Sequence, residues 1–343
     1  MRAGAGKTHR ICLRPRFPEC QLGHRADHGK PRGIVRAKRL ANGVYTHEPP
    51  ALVSRTIHSL RTSHRPDNLA RGAYGCRVLG VEHVNRLVAL PPHTSWPILR
   101  FRRERGRLGF DERGWAIDGS YAHLPVGRES QALFDRGRRV VTVRSPAVVP
   151  EESLVHPILA LAGGIFAHWD GREALHAGAF VGNDGAWILL GDNEAGKSST
   201  LAQLALLGYP VLSDDLVVLQ DMMAFAGPRC LDLRRATTSR LNLDELLEVR
   251  GNERYRLPLG EIVPEVPVHG WIFLAWGSRI ELRELGPGDR VRRLTNKRML
   301  IGRLPTRPDL FLDLARLRAW ELVRPRRWDC LRPAVDSLLD LAF

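Results

Sequence analysis

Apolar positions follow no sustained period over the first 73 residues and become patterned after them. The early segment is rich in Arg, His, Pro and Gly, as in PRFPEC, HRADHGKPRG, THEPP and HRPDN. Such a composition buries too little apolar surface to offset the entropy of ordering the chain. From residue 74 on, short apolar or alternating runs recur at 76–81, 98–103, 115–118 and 139–144, with Gly and Pro between them. They predict strands, and together a small β-rich domain over 74–150. Its job is either substrate recognition or cover for a neighbouring sheet.

A helical period begins at 151. Leu154, Ile158, Leu161, Ile165 and His168 recur at three- and four-residue spacing, which predicts a core-facing helix over 151–169. Glu151 and Glu152 complement its positive end. His156 and His168 read as packing or capping residues of that helix. An apolar run follows at 186–190, then a helix from Lys197 with Leu201, Leu204, Ala205 and Leu207 on one side. Gly208 and Pro210 stop it. A second apolar run, Val211 and Leu212, ends in Ser213-Asp214-Asp215, and apolar residues resume over 216–219. Short strands are predicted at 222–225 and 230–233, and a strongly apolar one at 271–276. Gly277-Ser278 turns the last into an alternating strand at 279–285. Closing helices are predicted at 308–323 and 332–341.

The chemistry concentrates between the first apolar strand and the paired carboxylates. GDNEAGKS, residues 191–198, fits G-x-x-x-x-G-K-[ST] and sits between a predicted strand and a predicted helix, the context a phosphate-binding loop requires. Gly191 and Gly196 let the backbone curl so that N–H groups face phosphate oxygens. Asp192, Asn193, Glu194 and Ala195 complete the loop, and Ser199 follows it. The helix that starts at Lys197 adds its positive end. Lys197 is placed for the β- and γ-phosphates of a nucleotide and Ser198 for Mg²⁺, with a strand-end carboxylate, Asp214, completing the metal site. The competing reading is a glycine turn before an ordinary helix. Adjacent residues of an extended chain face opposite sides, so one Asp can face a metal while Asp215 faces a substrate hydroxyl and accepts its proton. The competing reading here is a pair of solvated turn carboxylates.

GDNEAGKS, a helix and then SDD resemble the HPr kinase/phosphorylase family of bacterial serine kinases, which reads GDSGxGKS, a helix ending in Gly, and ADD. The family carries a His upstream in a segment reading roughly IHG. Here Leu175-His176-Ala177-Gly178 occupies that place, 21 residues before Lys197, and Asp215 lies 18 residues after it. The resemblance covers about 50 residues, 172–220. It implies that His176, Lys197 and Asp215 form the catalytic group and that Ser198 is a magnesium ligand. A later family signature, LEIRGLGI, carries an acidic metal ligand. Its nearest counterpart, Leu231-Asp232-Leu233-Arg234-Arg235, keeps the acid and an Arg but loses the glycines, which puts the family's reverse, dephosphorylating activity in doubt. The chain also resembles HPr-kinase-like proteins encoded beside ribosomally made peptides such as lasso peptides, which phosphorylate a precursor peptide.

The net charge of +15 would suggest a polyanion partner if it were spread evenly. It is not: residues 1–75 hold 15 Lys and Arg against 4 Asp and Glu. The folded remainder has no basic excess that calls for nucleic acid. The basic segment, 1–73, reads as a translated leader ahead of a downstream start, with a disordered basic arm or a targeting peptide as the other readings. Gly4-Ala5-Gly6-Lys7-Thr8 imitates the end of a phosphate loop, but no strand precedes it and Met1 stands where its first glycine belongs. No apolar run reaches the roughly 18 residues of a membrane span. Cys12, Cys20, Cys76, Cys230 and Cys330 are scattered, odd in number and form no C-x-x-C, so neither a disulfide framework nor a zinc site is indicated and a reducing cytoplasm fits. Arg234, Arg235 and Arg240 either contact phosphate or form a solvated loop. Residues 295–298 could add further phosphate contacts.

The expectation is therefore an α/β fold, a P-loop kinase core of the HPr kinase type with a mixed sheet, over 151–343, preceded by the β-rich domain. The expected activity is transfer of the ATP γ-phosphate, with Mg²⁺, to a serine or threonine hydroxyl of a protein or peptide. A homo-oligomer remains open. A small-molecule kinase and a nucleotide-binding sensor without transfer chemistry are the alternatives.

Overall fold

A computed structural model describes residues 69–81, 86–106, 116–126, 129–243, 247–250, 254–298 and 308–343, all within the second of two units, Pro49–Phe343. The expectations for 1–68, including the Gly4–Thr8 imitation loop, lie outside the described residues. The fold is mixed α/β.

The first sheet holds β1 (Arg71–Ala73), β2 (Cys76–Leu79), β3 (Val88–Ala89), β4 (Ile98–Arg105), β5 (Ala116–Ile117), β6 (Tyr121–Pro125), β7 (Gln131–Asp135) and β8 (Val140–Ser145). Their order is β3-β1-β2-β4-β8-β7-β6-β5, with β4 parallel to both β2 and β8 and the other neighbours antiparallel. The period-2 pattern puts Leu99, Phe101, Leu124, Phe134, Val141 and Val143 into one core. Helix α1 (Leu159–Trp169) closes that core with Ala162, Ile165 and Phe166.

The single helix expected over 151–169 is broken. A short turn, Glu151–Ser153, and a second one, Leu154–Ile158, precede α1, and His156 is extended at φ −149°, ψ 128°. Pro157 is the reason. Proline pushes the residue before it out of the helical region and offers no N–H of its own. The apolar period survives the break, because Leu154, Ile158 and Ile165 all remain buried.

The second sheet carries β9 (Glu173–Leu175), β10 (Gly178–Gly182), β11 (Gly185–Leu190), β12 (Val211–Ser213), β13 (Val217–Gln220), β14 (Met223–Phe225), then β18 (Glu265–Trp276), β19 (Glu281–Glu284) and β20 (Arg318–Arg324). A three-stranded sheet, β15 (Cys230–Arg234), β17 (Arg254–Pro258) and β16 (Glu248–Arg250), lies between them in sequence. The large sheet runs β12-β10-β11-β18-β14-β13-β9, with β20 also on β18 and β19 on β20. β18 is parallel to both β11 and β20, so these three strands end on the same side. Every residue of β11 is buried. Such an apolar run marks a strand covered on both faces. Alternate side chains sort accordingly: Trp187 and Leu189 pack with α2 (Lys197–Leu206) and with the last helix, α6 (Leu331–Ala342), while α3 (Arg235–Arg240), α4 (Pro287–Thr295) and α5 (Pro308–Arg316) come between these two in sequence. Ile188 and Leu190 pack with Leu294 of α4 and Leu310 and Leu314 of α5.

The helix expected over 308–323 ends at Arg316, and Arg318–Arg324 is a strand. A short apolar run has no period long enough to separate helix from buried strand; parallel pairing with β18 decides it. Helix α6 and strands β14, β15, β18 and β19 lie near their expected places, whereas β16, β17 and the helices at Arg235–Arg240 and Pro287–Thr295 were not expected. Among the described residues no helix is long and apolar enough to cross a membrane.

Candidate functional site

The 191–198 loop leaves the buried end of β11 and enters α2. Glu194 and Gly196 both take left-handed backbone, at φ 63° and φ 92°. Gly196 is the N-cap of α2 and no side chain caps the helix there. A Cβ at Gly196 would run into Arg324 Nη2. The glycine therefore meets two demands at once, a left-handed turn and a close approach.

Cations surround the loop. Lys197 is buried, and its Nζ donates to the carbonyls of Gly191 at 3.0 Å and Asp192 at 3.3 Å. Burial pulls its pKa below the ordinary lysine value, against the pull of Asp214 and Asp215. Lys297 pairs with Asp192 and holds that carboxyl below its usual range. Glu194 is bridged by Arg234 at 2.6 Å and Arg326 at 3.2 Å. Arg324 lies over the Trp276 ring, 4.3 Å from its centroid. Of the expected phosphate contacts on 295–298, Lys297 reaches the loop, whereas Arg298 pairs with Glu173 and Thr295 Oγ1 bonds back to Val291 O.

The two aspartates follow β12, which Arg229 ties down by donating to Val211 O at 2.8 Å and Leu212 O at 3.2 Å. The backbone turns tightly there: Leu216 N–H donates to Asp214 O at 2.8 Å, and Asp215 sits at φ 63°. A non-glycine residue in this region carries strain, which tends to be kept where a site needs it. Ser198 Oγ donates to Asp214 Oδ1 at 3.3 Å, joining the start of α2 to the end of β12. Burial, and next the charge of Asp215, push the Asp214 carboxyl up to about 7.

Asp215 is flanked by two histidines. His176 Nδ1 donates to its backbone carbonyl at 3.0 Å, and burial followed by the Lys197 charge lowers the pKa of that imidazole. His156 Nε2 stands 3.1 Å from Asp215 Oδ2 and its Nδ1 3.9 Å from Asp232 Oδ2. Asp232 in turn accepts from Arg256 Nε at 2.7 Å and Nη2 at 3.0 Å, and Arg256 also pairs with Glu152. A pocket lies among Tyr74, Val155, His156, Asp214, Asp215, Pro228, Cys230 and Asp232.

The structure thus gathers Lys197, Ser198, Asp214, Asp215 and His176 around the start of α2. Asp232 lies across the pocket with both oxygens on Arg256. His156, read from the sequence as a packing or capping residue, points into the pocket instead. The available signal was Pro157, which forbids the helical conformation that reading assumed. Among the described residues no group of three or more His, Cys, Asp or Glu is arranged to hold a metal ion. Ser198 Oγ beside Asp214 Oδ1 is a different donor set, two hard oxygens at a helix start. It fits a magnesium ion, which takes one or two protein oxygens together with substrate phosphates.

No protein-family model matches the chain, and no curated protein matches it. Among solved structures, the HPr(Ser) kinase/phosphatase from Coxiella burnetii aligns at 12% identity with a TM-score of 0.27, covering 49% of this chain and 98% of that one. The likeness is weak at that score, and the functional reading stands on this chain's own residues.

Proposed function

We propose that the chain is an ATP-dependent phosphotransferase of the HPr kinase kind, acting on a serine or threonine hydroxyl of a protein or peptide. The observation that carries the reading is the Ser198–Asp214 hydrogen bond, with Lys197 and Asp215 on either side of it. It brings a cation, a helix N-terminus and two carboxylates to one place.

Lys197, the loop amides and the start of α2 hold the nucleotide phosphates, and catalysis is mostly positioning and charge neutralisation. Ser198 and Asp214 would hold Mg²⁺, which neutralises charge on the phosphates when bound. Asp215 takes the proton of the acceptor hydroxyl as its oxygen bonds to the γ-phosphorus, and the bond from that phosphorus to the β–γ bridging oxygen breaks to release ADP. His176 fixes the backbone of Asp215.

The test incubates the full chain with Mg²⁺, γ-labelled ATP, lysate of the source organism and the products of neighbouring genes, with Asp215→Asn as control. Label on one discrete protein or peptide, absent with the variant, is the expected result. Label on metabolites alone would move the reading to a small-molecule kinase. Bound ATP with no label anywhere would leave a sensor.

A further inference from the structure

Three arginines are buried among the described residues: Arg229, Arg256 and Arg324, at 4%, 1% and 6% exposure. Burying a guanidinium is unfavourable unless the charge is paired and its N–H groups are bonded. Arg256 meets both conditions through Asp232 and Glu152. Arg229 donates to the carbonyls of Val211, Leu212 and Gly260. Arg324 differs. Its Nε is buried with no hydrogen-bond partner, and no carboxylate pairs with it among the described residues. Burial accordingly lowers its pKa.

Its position is fixed all the same. Parallel pairing sets Arg324 opposite Trp276, and the guanidinium lies over that indole. Its Nη2 rests against Gly196, where the first N–H groups of the ten-residue helix α2 emerge without a side-chain cap. A cation–π contact orients a guanidinium but does not neutralise it. The missing partner is an anion at the start of α2.

The geometry points to Arg324 as a phosphate-binding residue of this site, held by Trp276 and supplied by the chain itself beside Gly196. This rests on the nucleotide reading above and adds a residue that no sequence motif marks. A planar fork of N–H donors matches phosphate oxygens and stays charged at any working pH. The phosphate belongs either to the nucleotide or to free orthophosphate, and the two are separable.

The experiment uses the full chain as wild type, Arg324→Met and Arg324→Lys, titrated calorimetrically with Mg²⁺-ATP, ADP, adenosine and inorganic phosphate, with melting curves of each ligand-free protein. The expected result is at least a tenfold loss of ATP and ADP affinity in Arg324→Met, no change for adenosine, and an intermediate value for Arg324→Lys. Ligand-free Arg324→Met should melt no lower than wild type, since the substitution removes an unpaired buried cation. Loss confined to inorganic phosphate would equally support the site and assign it to free phosphate. Wild-type affinities in Arg324→Met for both ATP and phosphate would overturn the inference and leave the nucleotide reading standing. So would a large drop in melting temperature that Arg324→Lys restores with no change in binding. A wild type that binds neither nucleotide nor phosphate would overturn both.

Discussion

His156 Nε2 meets Asp215 Oδ2 at 3.1 Å, while His176 reaches only the backbone carbonyl of the same residue. The two imidazoles therefore do different jobs. His176 steadies a left-handed turn, and His156 fixes the direction of the carboxylate. His156 Nδ1 lies 3.9 Å from Asp232 Oδ2, and Arg256 holds Asp232 with two hydrogen bonds. The carboxylate proposed to accept a proton is thus approached from behind by a series of polar side chains, His156, Asp232 and Arg256.

The division can be tested by comparing His156→Ala with His176→Ala. Misplacing a reacting group by about 1 Å costs on the order of 10²-fold in rate. Transfer by His156→Ala should fall by about that factor, with ATP affinity unchanged. His176→Ala should lose mainly stability, about 1 kcal/mol for one hydrogen bond. Single-turnover transfer and nucleotide titration on both variants decide it. Equal losses of transfer in the two would sink the distinction.

Lys197 and Asp215 should separate binding from chemistry. Asp215→Asn keeps the carboxamide shape and loses the proton acceptor, so ATP still binds while transfer drops by about 10²-fold or more. Lys197→Met removes the buried ammonium that bonds Gly191 O and Asp192 O, and both ATP binding and transfer should be lost. Unchanged transfer in Asp215→Asn would falsify its role as proton acceptor.

The loop, α2 and the double aspartate were legible because each signal is local: a strand that ends in glycine, a helix that stops at Gly208, carboxylates after two apolar residues. Local signals also gave four of the eight strands of the first sheet, β2, β4, β5 and β8, and most strands of the large second sheet. The failures are non-local or lie at a conflict of rules. Pro157 overrode a good helical period and turned His156 into the pocket. Residues 318–324 became a strand because β18 offered a parallel edge. That same pairing brings Arg324 to Trp276, and antiparallel register brings Arg256 to Asp232. No window of sequence contains either pair.

Asp232 and Arg256 should behave as one buried unit. The Arg256 side chain is 0% exposed and that of Asp232 6%. Burial pulls the Arg256 pKa down, but its bonds to Asp232 more than offset this and the net shift is upward. Breaking a buried pair from one side typically costs about 3–5 kcal/mol, whereas replacing both partners with apolar residues is often close to neutral. Asp232→Leu should therefore destabilise by about that amount, and Asp232→Leu with Arg256→Met by much less. Equilibrium urea unfolding of the two single variants and the double variant measures the difference. A double variant as unstable as Asp232→Leu would show that the pair is not the unit.

Cys230 lies in the wall of the same pocket, packed against Val155, and its thiol should be inert. Burial pushes it from an ordinary value of 9.0 up to about 11, with Arg256 pulling it back and Asp232 adding to the rise. Only the thiolate reacts. Alkylation of the native protein at pH 8, mapped by mass spectrometry, should mark the half-buried Cys330 before Cys230 or Cys76. The same shift has a consequence for stability. A group whose folded pKa lies above its unfolded value contributes stability that is complete below the unfolded value and lost as pH rises through the folded one. Stability should then fall between pH 9 and pH 11, with Cys230 contributing a slope of at most about 1.4 kcal/mol per unit. The Cys76 thiol, also raised by burial, adds to the fall in the same direction. Cys230→Ala should flatten the curve in that window and leave it unchanged near pH 7. An unaltered slope in Cys230→Ala, or early alkylation of Cys230, would mean that the pocket wall opens to water more readily than its packing implies.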